Sequence, residues 1–428
     1  MRGWSPEQVA DAAGARLVEP GERRDGPRRV VIDSRQAGPG DLFVGLPGER
    51  VDGGRFAADV LGAGAWGALV GEAWAGIDDE GGAVLVAADP LLALQRLATA
   101  WRRALGAQVI GITGSTGKTS TKDLVAAMVG QGRRVVATPL NLNTEIGLPL
   151  TVLGAPEDTE VLVLEMAMRG AGQIAELAEI AEPDVGVIVN VGPVHLELLG
   201  SIEAIAATKA ELLAGLPPGG TAIVPAGEPL LEPFRREEVT WVTFGEGGDV
   251  AELPEALVLP FTSLHMRRNA LAALAAARAV GVEPTGTLEV TLSELRGQRV
   301  EVPGGIVVVN DCYNANPMSM RAALDDLAAT ALGRRVAVLG DMLELGPDER
   351  RFHEEIGAHA AAAGIDLLVT VGPLAQAMGE PFGGEVHAVA TAADAVAALP
   401  ALLREGDTVL VKGSRGVGLE VVAQGLSG

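Results

Sequence analysis

Residues 109–120 of this chain read VIGITGSTGKTS. The apolar start predicts a buried β-strand, the glycines predict a loop, and the end of the segment, at Ser120, predicts the start of a helix. Glycines let backbone N–H groups turn inward around phosphate oxygens, and a helix N-terminus adds partial positive charge. Lys118 is placed to reach the outer phosphates, and the Thr119 hydroxyl is placed to bind Mg²⁺. We therefore predict nucleoside triphosphate binding by Thr113, Gly114, Ser115, Thr116, Gly117, Lys118 and Thr119.

The loop departs from the strict P-loop pattern at one position. Ile112 stands where that pattern has its first glycine, so the form is Thr-Gly-x-x-Gly-Lys-Thr. An ordinary glycine-rich turn is the alternative interpretation. The coincidence of a strand, a loop, a Lys-Thr pair and a helix start disfavours it.

Length and composition limit the class of protein. With 428 residues, of which 48% are hydrophobic and 21% charged, the chain is long enough for two to four ordered domains. The net charge of −23 disfavours binding to nucleic acid or to an anionic membrane surface. A single cysteine excludes an internal disulfide framework, and no uncharged apolar run reaches the ~18 residues of a membrane span. We expect a cytoplasmic protein that does not insert into membranes.

Lysine is rare in this chain. Only four of the 33 basic residues are lysines, at positions 118, 122, 209 and 412, so 29 are arginines. Such a bias is typical of a GC-rich or thermophilic genome. Where arginine serves for most cationic roles, a remaining lysine marks a position that needs a slim amine that can be neutralised and modified. We expect Lys122, one helical turn beyond the loop, to be solvated.

The apolar pattern divides the chain into three α/β blocks. We predict a small N-terminal α/β domain over residues 1–104, a central P-loop domain with a parallel sheet over 105–295, and a C-terminal Rossmann-like domain over 296–428. In the first block, short apolar runs cover 30–32, 42–46, 65–70 and 83–86. In the other two, predicted strands cover 109–112, 135–137, 161–165, 185–190, 222–224, 306–310, 335–340, 367–371 and 408–412. Predicted helices cover 90–105, 120–131, 172–181 and 264–280.

Three polar residues follow the loop at intervals in the central block. Glu165 ends an apolar strand, where the carboxyl edge of an α/β sheet places ligands, and a carboxylate there suits Mg²⁺. His195 follows the next predicted strand, and Lys209 lies in a helical pattern. Taken alone, a single histidine is more often structural than a ligand, and a single helical lysine is more often solvated.

The combination resembles the Mur ligase family of ATP-dependent, amide-forming enzymes. The resemblance implies that Glu165 and His195 bind Mg²⁺ beside Thr119. It also implies that Lys209 is carbamylated and that the added carboxylate helps to hold a second Mg²⁺. The catalytic residues would then be Lys118, Glu165, His195 and Lys209.

Further segments resemble the branch of this family that adds D-alanyl-D-alanine to UDP-N-acetylmuramoyl-tripeptide. The longest are NDCYNANPMSM at 310–320, GDMLELG at 340–346 and KGSRG at 412–416. The resemblance implies substrate contacts to the UDP part from Ser34, Arg35, Asn141 and Asn143. It implies contacts to ATP from Asn269, Arg299 and Asp311, and to the dipeptide from Tyr313, Asn314 and Asn316.

The resemblance also implies the reaction and its alternatives. The tripeptide carboxylate would be activated by ATP as an acyl phosphate, in a monomer whose central and C-terminal domains close on the nucleotide. The amino-acid-adding muramyl branch is disfavoured because its Asp-Asn-Pro-Arg segment is absent, and residues 33–35 disfavour a folylpolyglutamate-synthase-like ligase. A non-catalytic nucleotide-binding protein and a simple P-loop kinase remain as different classes. The first would not need Thr119, Glu165, His195 and Lys209 together, and the second would leave the terminal blocks without a role.

Overall fold

Three large sheets, of five, six and six strands, organise the computed structural model of this chain. The structure describes residues 1, 3–23, 25–261, 263–291, 293 and 295–427. The first sheet lies within residues 16–87, the second within 108–244 and the third within 298–412. We call the parts of the chain around these sheets the N-terminal, central and C-terminal units.

The N-terminal unit has the strand order β1-β5-β4-β3-β2, with only the pair of β1 and β5 antiparallel. Its last helix matches the predicted range because its ends are encoded locally. Asp89 caps the first turn by accepting from the backbone N–H of Leu91 and Leu92, and Gly106 ends the helix in a left-handed conformation. The elements are α1 (Pro6–Ala13), β1 (Arg16–Glu19), β2 (Arg29–Val31), β3 (Asp41–Val44), α2 (Ala57–Gly62), β4 (Gly67–Gly71), β5 (Ala83–Ala87) and α3 (Pro90–Leu105).

The central unit is an all-parallel sheet with the order β11-β10-β9-β6-β8-β7. Its elements are β6 (Gln108–Thr113), α4 (Lys118–Val129), β7 (Val135–Ala137), α5 (Gly147–Leu153), β8 (Val161–Glu165), α6 (Gln173–Ala181), β9 (Val185–Ile188), α7 (Leu196–Leu199), α8 (Ile202–Ala214), β10 (Thr221–Pro225), β11 (Thr240–Phe244), the short pair β12 (Leu257–Val258) and β13 (Gly286–Thr287), and α9 (Leu264–Ala279).

The strand order of the central sheet places the site. After β6 the chain builds β7 and β8 on one side, and it then crosses to build β9, β10 and β11 on the other. A crevice opens where the order of strands reverses, at the carboxyl ends of the strands. Those ends, of β6, β8 and β9, lead into the glycine loop, Glu165 and the segment that carries His195.

The C-terminal unit has the order β14-β15-β19-β16-β17-β18, in which only β14 and β15 form an antiparallel pair. Its elements are β14 (Gln298–Val302), β15 (Ile306–Asn310), α10 (Pro317–Thr330), β16 (Arg335–Gly340), α11 (Glu349–Ala362), β17 (Leu367–Val371), α12 (Gly379–Phe382), β18 (Glu385–Val389), α13 (Ala392–Leu402), β19 (Thr408–Lys412) and α14 (Glu420–Ser427). The four strands predicted from continuous apolar runs here have the predicted bounds.

The hydrophobic clusters show which units share a core. One apolar cluster runs from the N-terminal unit into the central unit, where Leu97 of α3 joins Leu148 and Leu177. By contrast, the two clusters that cover the faces of the C-terminal sheet contain only residues of that unit, apart from partly buried Leu196. The C-terminal unit therefore has its own core. Within the part of the chain that the structure describes, no helix is long and apolar enough to cross a bilayer.

Candidate active site

A cleft of about 1780 Å³ opens between the central and C-terminal units. The central unit contributes residues 115–119 and the ends of β8 and β9, while the C-terminal unit contributes the loop after β15 and the start of α10. The predicted site residues that line it are Ser115, Thr116, Gly117, Lys118, Thr119, Asn143, Glu165, His195, Asn269, Arg299, Asp311, Tyr313, Asn314 and Asn316.

The conformation of the glycine loop is fixed by contacts with Asn190 and Asn269. The N–H of Thr116 donates to Oδ1 of Asn190 at 3.0 Å, and Nδ2 of Asn190 donates back to the Thr116 carbonyl at 3.0 Å. Gly117 has a φ of +76°, and a Cβ there would lie 2.9 Å from Oδ1 of Asn269. Only glycine combines this backbone conformation with so close an approach. The loop thus touches α9 through Asn269, which the sequence assigned to the nucleotide.

Lys118 begins α4 and folds back over the loop. Its Nζ donates to the Gly114 carbonyl at 2.8 Å. Burial lowers the pKa of Lys118, while the carboxylate of Glu165 opposes that shift and the guanidinium of Arg296 adds to it. A partly buried cation beside the glycine loop is suited to bind a phosphate group, whose negative charge would favour the charged form of the amine.

Glu165 ends β8 and is 1% exposed. Its Oε1 accepts a hydrogen bond from Nδ2 of Asn143 at 2.8 Å, whereas its Oε2 is buried without a hydrogen-bond partner. A buried carboxylate oxygen with no donor is costly unless a cation faces it. This orphaned oxygen is an observation that points to a bound metal ion.

His195 follows β9 with a φ of +53° and lines the cleft. Its Nδ1 lies 2.5 Å from Oε2 of Glu344, which belongs to the C-terminal unit. Burial lowers the pKa of His195, and Glu344 opposes that shift. A neutral imidazole whose Nδ1 proton is donated to a carboxylate keeps Nε2 as a lone-pair donor.

Lys209 lies in α8 with 1% exposure, so the ordinary interpretation of a solvated helical lysine does not apply. No hydrogen bond or ion pair joins its amine to any residue that the structure describes. Burial lowers the pKa of Lys209 well below its usual value, and the positive charge of Lys118 adds to this shift. The side chain therefore offers a buried, readily neutralised amine that is close enough to Lys118 to be influenced by its charge, but Lys209 does not line the cleft.

The prediction that Lys122 is solvated is wrong. Lys122 is 4% exposed, donates to the Thr138 carbonyl at 2.7 Å and pairs with Asp123 at 2.9 Å. Thr138 in turn accepts from the backbone N–H of Glu165 at 2.9 Å. Helical spacing could not show that this face of α4 meets the segment after β7. Lys122 thus supports the strand end that carries Glu165.

Lys412 is also buried, with 3% exposure, at the end of β19. Its Nζ lies 2.6 Å from Oδ2 of Asp311 and 3.0 Å from the carbonyl oxygen of Asn314. The ammonium group therefore binds the loop after β15. Lys122, Lys209 and Lys412 are buried, and Lys118 is partly buried, so none of the four lysines lies on the exposed surface.

The C-terminal residues assigned to substrate also organise their own unit. Asn316 caps α10 by accepting from the N–H of Ser319 at 2.9 Å, and its Nδ2 donates to the carbonyl of Ser115 in the glycine loop at 3.5 Å. Arg299 pairs with Asp326 at 3.2 Å and also donates to Thr330. Tyr313 has the guanidinium of Arg296 over its ring at 4.1 Å.

The residues assigned to the UDP part do not lie together in the cleft. Asn143 lines it and holds Glu165, whereas Ser34, Arg35 and Asn141 are absent from its walls. Arg35 is exposed and pairs with Asp33 at 2.7 Å, and the hydrogen bond from Arg35 lowers the pKa of Asp33 to about 2. In the described part of the chain, Asn143 therefore belongs to the Glu165 environment.

Several contributors to the cleft were not predicted. Arg296 gave no signal in the sequence beyond its position before β14. Glu344 and Arg169 lie inside segments whose overall resemblance was noted without a role for either side chain. Asn190 follows the β9 strand and was interpreted only as the end of an apolar run. Glu344, Arg169 and Asn190 act through partners that are distant in sequence, so no local pattern marks them.

Comparison with known proteins is consistent across the chain. Three family models match: the catalytic domain of the Mur ligase family at residues 28–88, the Mur ligase middle domain at 112–277 and the Mur ligase glutamate ligase domain at 295–415. The UDP-N-acetylmuramoyl-tripeptide--D-alanyl-D-alanine ligase of Synechocystis sp. is 39% identical over 417 residues, which cover 93% of this chain and 91% of that protein.

Two solved structures are similar over nearly the whole length. MurF from Acinetobacter baumannii has a TM-score of 0.89 and 31% identity, with 99% of this chain and 98% of that chain covered. The MurF ligase from Thermotoga maritima, solved in complex with ADP, has a TM-score of 0.81 and 29% identity, with 94% and 97% covered.

Proposed function

We infer that this chain, which belongs to the Mur ligase family, is an ATP-dependent ligase that joins D-alanyl-D-alanine to UDP-N-acetylmuramoyl-tripeptide in peptidoglycan precursor synthesis. The observation that carries the assignment is the single cleft in which the glycine loop, the orphaned oxygen of Glu165 and the Tyr313–Asn316 loop meet. The first two fit phosphoryl transfer to a carboxylate. The third supplies amides for a second, dipeptide substrate.

The reaction has two steps. An oxygen of the tripeptide carboxylate attacks the γ-phosphorus of ATP, and the bond from that phosphorus to the β-phosphate oxygen breaks, which gives an acyl phosphate and ADP. The dipeptide amine then attacks the acyl carbon, the C–N bond forms, the amine loses a proton, and the bond from carbon to the phosphate oxygen breaks. Phosphoryl transfer of this kind depends on positioning and charge stabilisation.

The chain's own residues supply those two requirements. Lys118, the loop amides and the start of α4 bind the outer phosphates of ATP. Asn269, Arg299 and Asp311 contact the rest of the nucleotide from both sides of the cleft. Closure of the C-terminal unit over the central unit keeps water from the acyl phosphate, which would otherwise hydrolyse.

The residues present also fit Mg²⁺. Thr119, Glu165 and His195 would hold one ion, because a hydroxyl, a buried carboxylate oxygen without a donor and an imidazole nitrogen converge on the cleft. Within the described residues no group of three or more His, Cys, Asp or Glu side chains could hold a metal. Phosphate oxygens and water would therefore complete the coordination. Bound Mg²⁺ neutralises charge between the carboxylate and the triphosphate.

Lys209 would supply a further carboxylate after carbamylation. Its neutral amine adds to CO₂, a C–N bond forms and one proton is released, which converts a neutral side chain into an anionic one. The burial of the amine and its lack of a described partner support this step, and the new charge would balance Lys118 and hold a second Mg²⁺. Arginine cannot be converted in this way.

The remaining assignments follow the three units. We propose a UDP-binding domain over 1–104, an ATP-binding domain over 105–295 and a dipeptide-binding domain over 296–428. Ser34 and Arg35 of the first domain would contact the UDP part of the substrate, and so would Asn141 of the second. Asn143 would face the substrate while it orients Glu165. Tyr313, Asn314 and Asn316 would contact D-alanyl-D-alanine. Both walls of the cleft come from one chain, which supports a monomer, and its nucleotide-linked substrates support a cytoplasmic location.

One experiment separates this function from its alternatives. Phosphate release is measured with ATP, Mg²⁺ and UDP-N-acetylmuramoyl-tripeptide, and D-alanyl-D-alanine or single amino acids are added in turn. Release that depends on the dipeptide supports the proposal. Stimulation only by a single amino acid indicates the amino-acid-adding branch, and stimulation only by glutamate with a folate substrate indicates the folylpolyglutamate branch.

A further inference from the structure

We propose that Glu344, which belongs to the C-terminal unit, is a positioning residue that orients His195 for metal binding when the two units are closed. The proposal rests on the function inferred above, because it assumes that His195 binds Mg²⁺. It assigns a role to a carboxylate that neither the glycine loop nor the predicted ligand set includes. Its consequence is that the orientation of a metal ligand in the central unit depends on a residue of the C-terminal unit.

The backbones of both residues are held in an unusual conformation where their side chains meet. His195 has a φ of +53° and Glu344 a φ of +63°, in the left-handed region that non-glycine residues rarely occupy. The Glu344 carbonyl also accepts from the N–H of Glu197 at 3.4 Å. A Cβ on Gly346 would lie 3.4 Å from the same nitrogen, so the two chains approach closely. The contact between Oε2 and Nδ1 is thus built into the backbone.

The chemistry of that contact suits a metal ligand. A carboxylate at Nδ1 fixes the proton there, leaves the lone pair on Nε2 and increases the basicity of the ring. His195 lines the cleft together with Thr119 and Glu165. Asn143 orients Glu165 in a similar way, because its Nδ2 donates a hydrogen bond to Oε1 and leaves Oε2 without a partner. Glu165 and His195 therefore each have one partner that orients them.

The two partners differ in where they come from. Asn143 belongs to the central unit, like Glu165, so that pair persists when the cleft opens. Glu344 belongs to a unit with a separate core, so its bond to His195 exists only when the cleft is closed. Metal binding and closure should then favour each other, because coupling between two equilibria is reciprocal.

The first test reads the histidine directly. The chain has five histidines, so long-range ¹H–¹⁵N spectra of the metal-free protein resolve few rings, and loss of a signal in His195→Gln assigns the ring of interest. In the wild type we expect the His195 proton on Nδ1. In Glu344→Ala we expect the signal to move to the Nε2–H form or to an average of the two. An unchanged Nδ1–H signal in Glu344→Ala overturns the proposal.

The second test measures metal affinity. Mn²⁺ binding is followed by electron paramagnetic resonance in the presence of a non-hydrolysable ATP analogue. Loss of an orienting partner typically weakens metal binding about 10- to 100-fold, and we expect Glu344→Ala to fall in this range and Glu344→Gln to be weakened less. Mn²⁺ affinity within twofold of the wild type in Glu344→Ala overturns the proposal.

One control variant comes from the same surroundings. Glu197→Gln removes a neighbouring carboxylate, while the backbone N–H of residue 197 keeps its hydrogen bond to the Glu344 carbonyl. Its Mn²⁺ affinity should stay within twofold of the wild type, and a loss equal to that of Glu344→Ala would show a general charge effect and overturn the specific role. Dipeptide-dependent phosphate release by the wild type is measured in parallel, so that a failure of the proposed function is recognised separately.

Discussion

Nζ of Lys412 lies 2.6 Å from Oδ2 of Asp311, and the same nitrogen lies 3.0 Å from the carbonyl oxygen of Asn314. The end of β19 is thereby tied to the loop after β15. That loop carries Asp311, Tyr313, Asn314 and Asn316, to which we assign nucleotide and dipeptide contacts. One buried cation therefore determines where several substrate contacts lie, without itself being required to touch either substrate.

Replacement of Lys412 by methionine should destabilise the protein by roughly 3 kcal/mol, because Asp311 would remain largely buried without its cation. Urea unfolding measures this change. Asp311→Asn in the same background should restore part of the loss, since an amide needs no counter-charge. Strict additivity of the two single changes would contradict the direct coupling.

Glu165→Gln should separate stability from function. The substitution removes a buried negative charge that lacks a donor on Oε2, so the metal-free protein should melt at or above the wild-type temperature. The same change should lower ligation at least about 100-fold, because a charged ligand is lost. Thermal melting in EDTA and phosphate release with Mg²⁺–ATP check the two halves. A lower melting temperature in EDTA would show that the carboxylate is satisfied in the metal-free protein.

Lys209→Arg should nearly abolish ligation, because a guanidinium cannot be carbamylated. It should also lower stability, because a charge that cannot be neutralised is placed at a position with 1% exposure. Lys209→Ala should regain activity when a short carboxylic acid is added, since that acid can occupy the place of the carbamate. A short alkylamine serves as the matched control and should give no rescue. Phosphate release and circular dichroism are the measurements, and full activity of Lys209→Arg would refute the carbamate.

Gly117→Ala should weaken ATP binding at least about 10-fold. A Cβ there would meet Asn269 at 2.9 Å, and the φ of +76° disfavours any other residue. Gly106→Ala is the matched control, since Gly106 has a φ of +63° with no atom within 4 Å of an added Cβ. Both variants should lose about 1 kcal/mol of stability. Only Gly117→Ala should change the Kd for ATP in calorimetry.

Cys312 should be unreactive in the folded protein at pH 8. Burial raises the pKa of its thiol from 9.0 to about 11, and the carboxylates of Glu420 and Asp311 add to the shift. Because the folded state disfavours the thiolate, this contribution to stability is complete below pH 9.0 and is lost as the pH rises toward about 11. Alkylation by iodoacetamide, followed by mass, should be slow in buffer and fast in urea. Equal rates would contradict the burial of Cys312.

The helices and strands that were predicted with the correct bounds are those whose sequence signals lie within the element or next to it. The four parallel strands predicted in the C-terminal block have the predicted bounds, because strands buried on both faces are continuous apolar runs. Helix α3 was also predicted with its true bounds, since its caps lie next to it in sequence. By contrast, α1 and β1 were not predicted, because eight and four residues of mixed polarity carry a weak periodic signal.

The same difference between local and long-range signals separates the site residues that were predicted from those that were missed. The glycine loop, Lys118 and Glu165 were singled out from the local order of strand ends and loops, and His195 through the resemblance to a family; residues 115–119, Glu165 and His195 line one cleft. Lys122 was misjudged because helical spacing does not show which neighbour covers a face. Glu344 and Asn190 were missed because each acts on a residue more than 70 positions away, as with the 149 positions between His195 and Glu344.

By itself, the sequence determined the three α/β blocks, the nucleotide loop and the residue types available for phosphoryl transfer, since these depend on short-range patterns of apolar, glycine and polar residues. Only the tertiary structure decided which lysines are buried, which oxygen of Glu165 lacks a partner and which carboxylate holds His195. The physical reason is that burial and pairing are properties of surfaces brought together from distant parts of the chain. The sequence showed that only four basic residues are lysines and that 29 are arginines. The structure showed that three of these lysines are buried and that the fourth, Lys118, is partly buried.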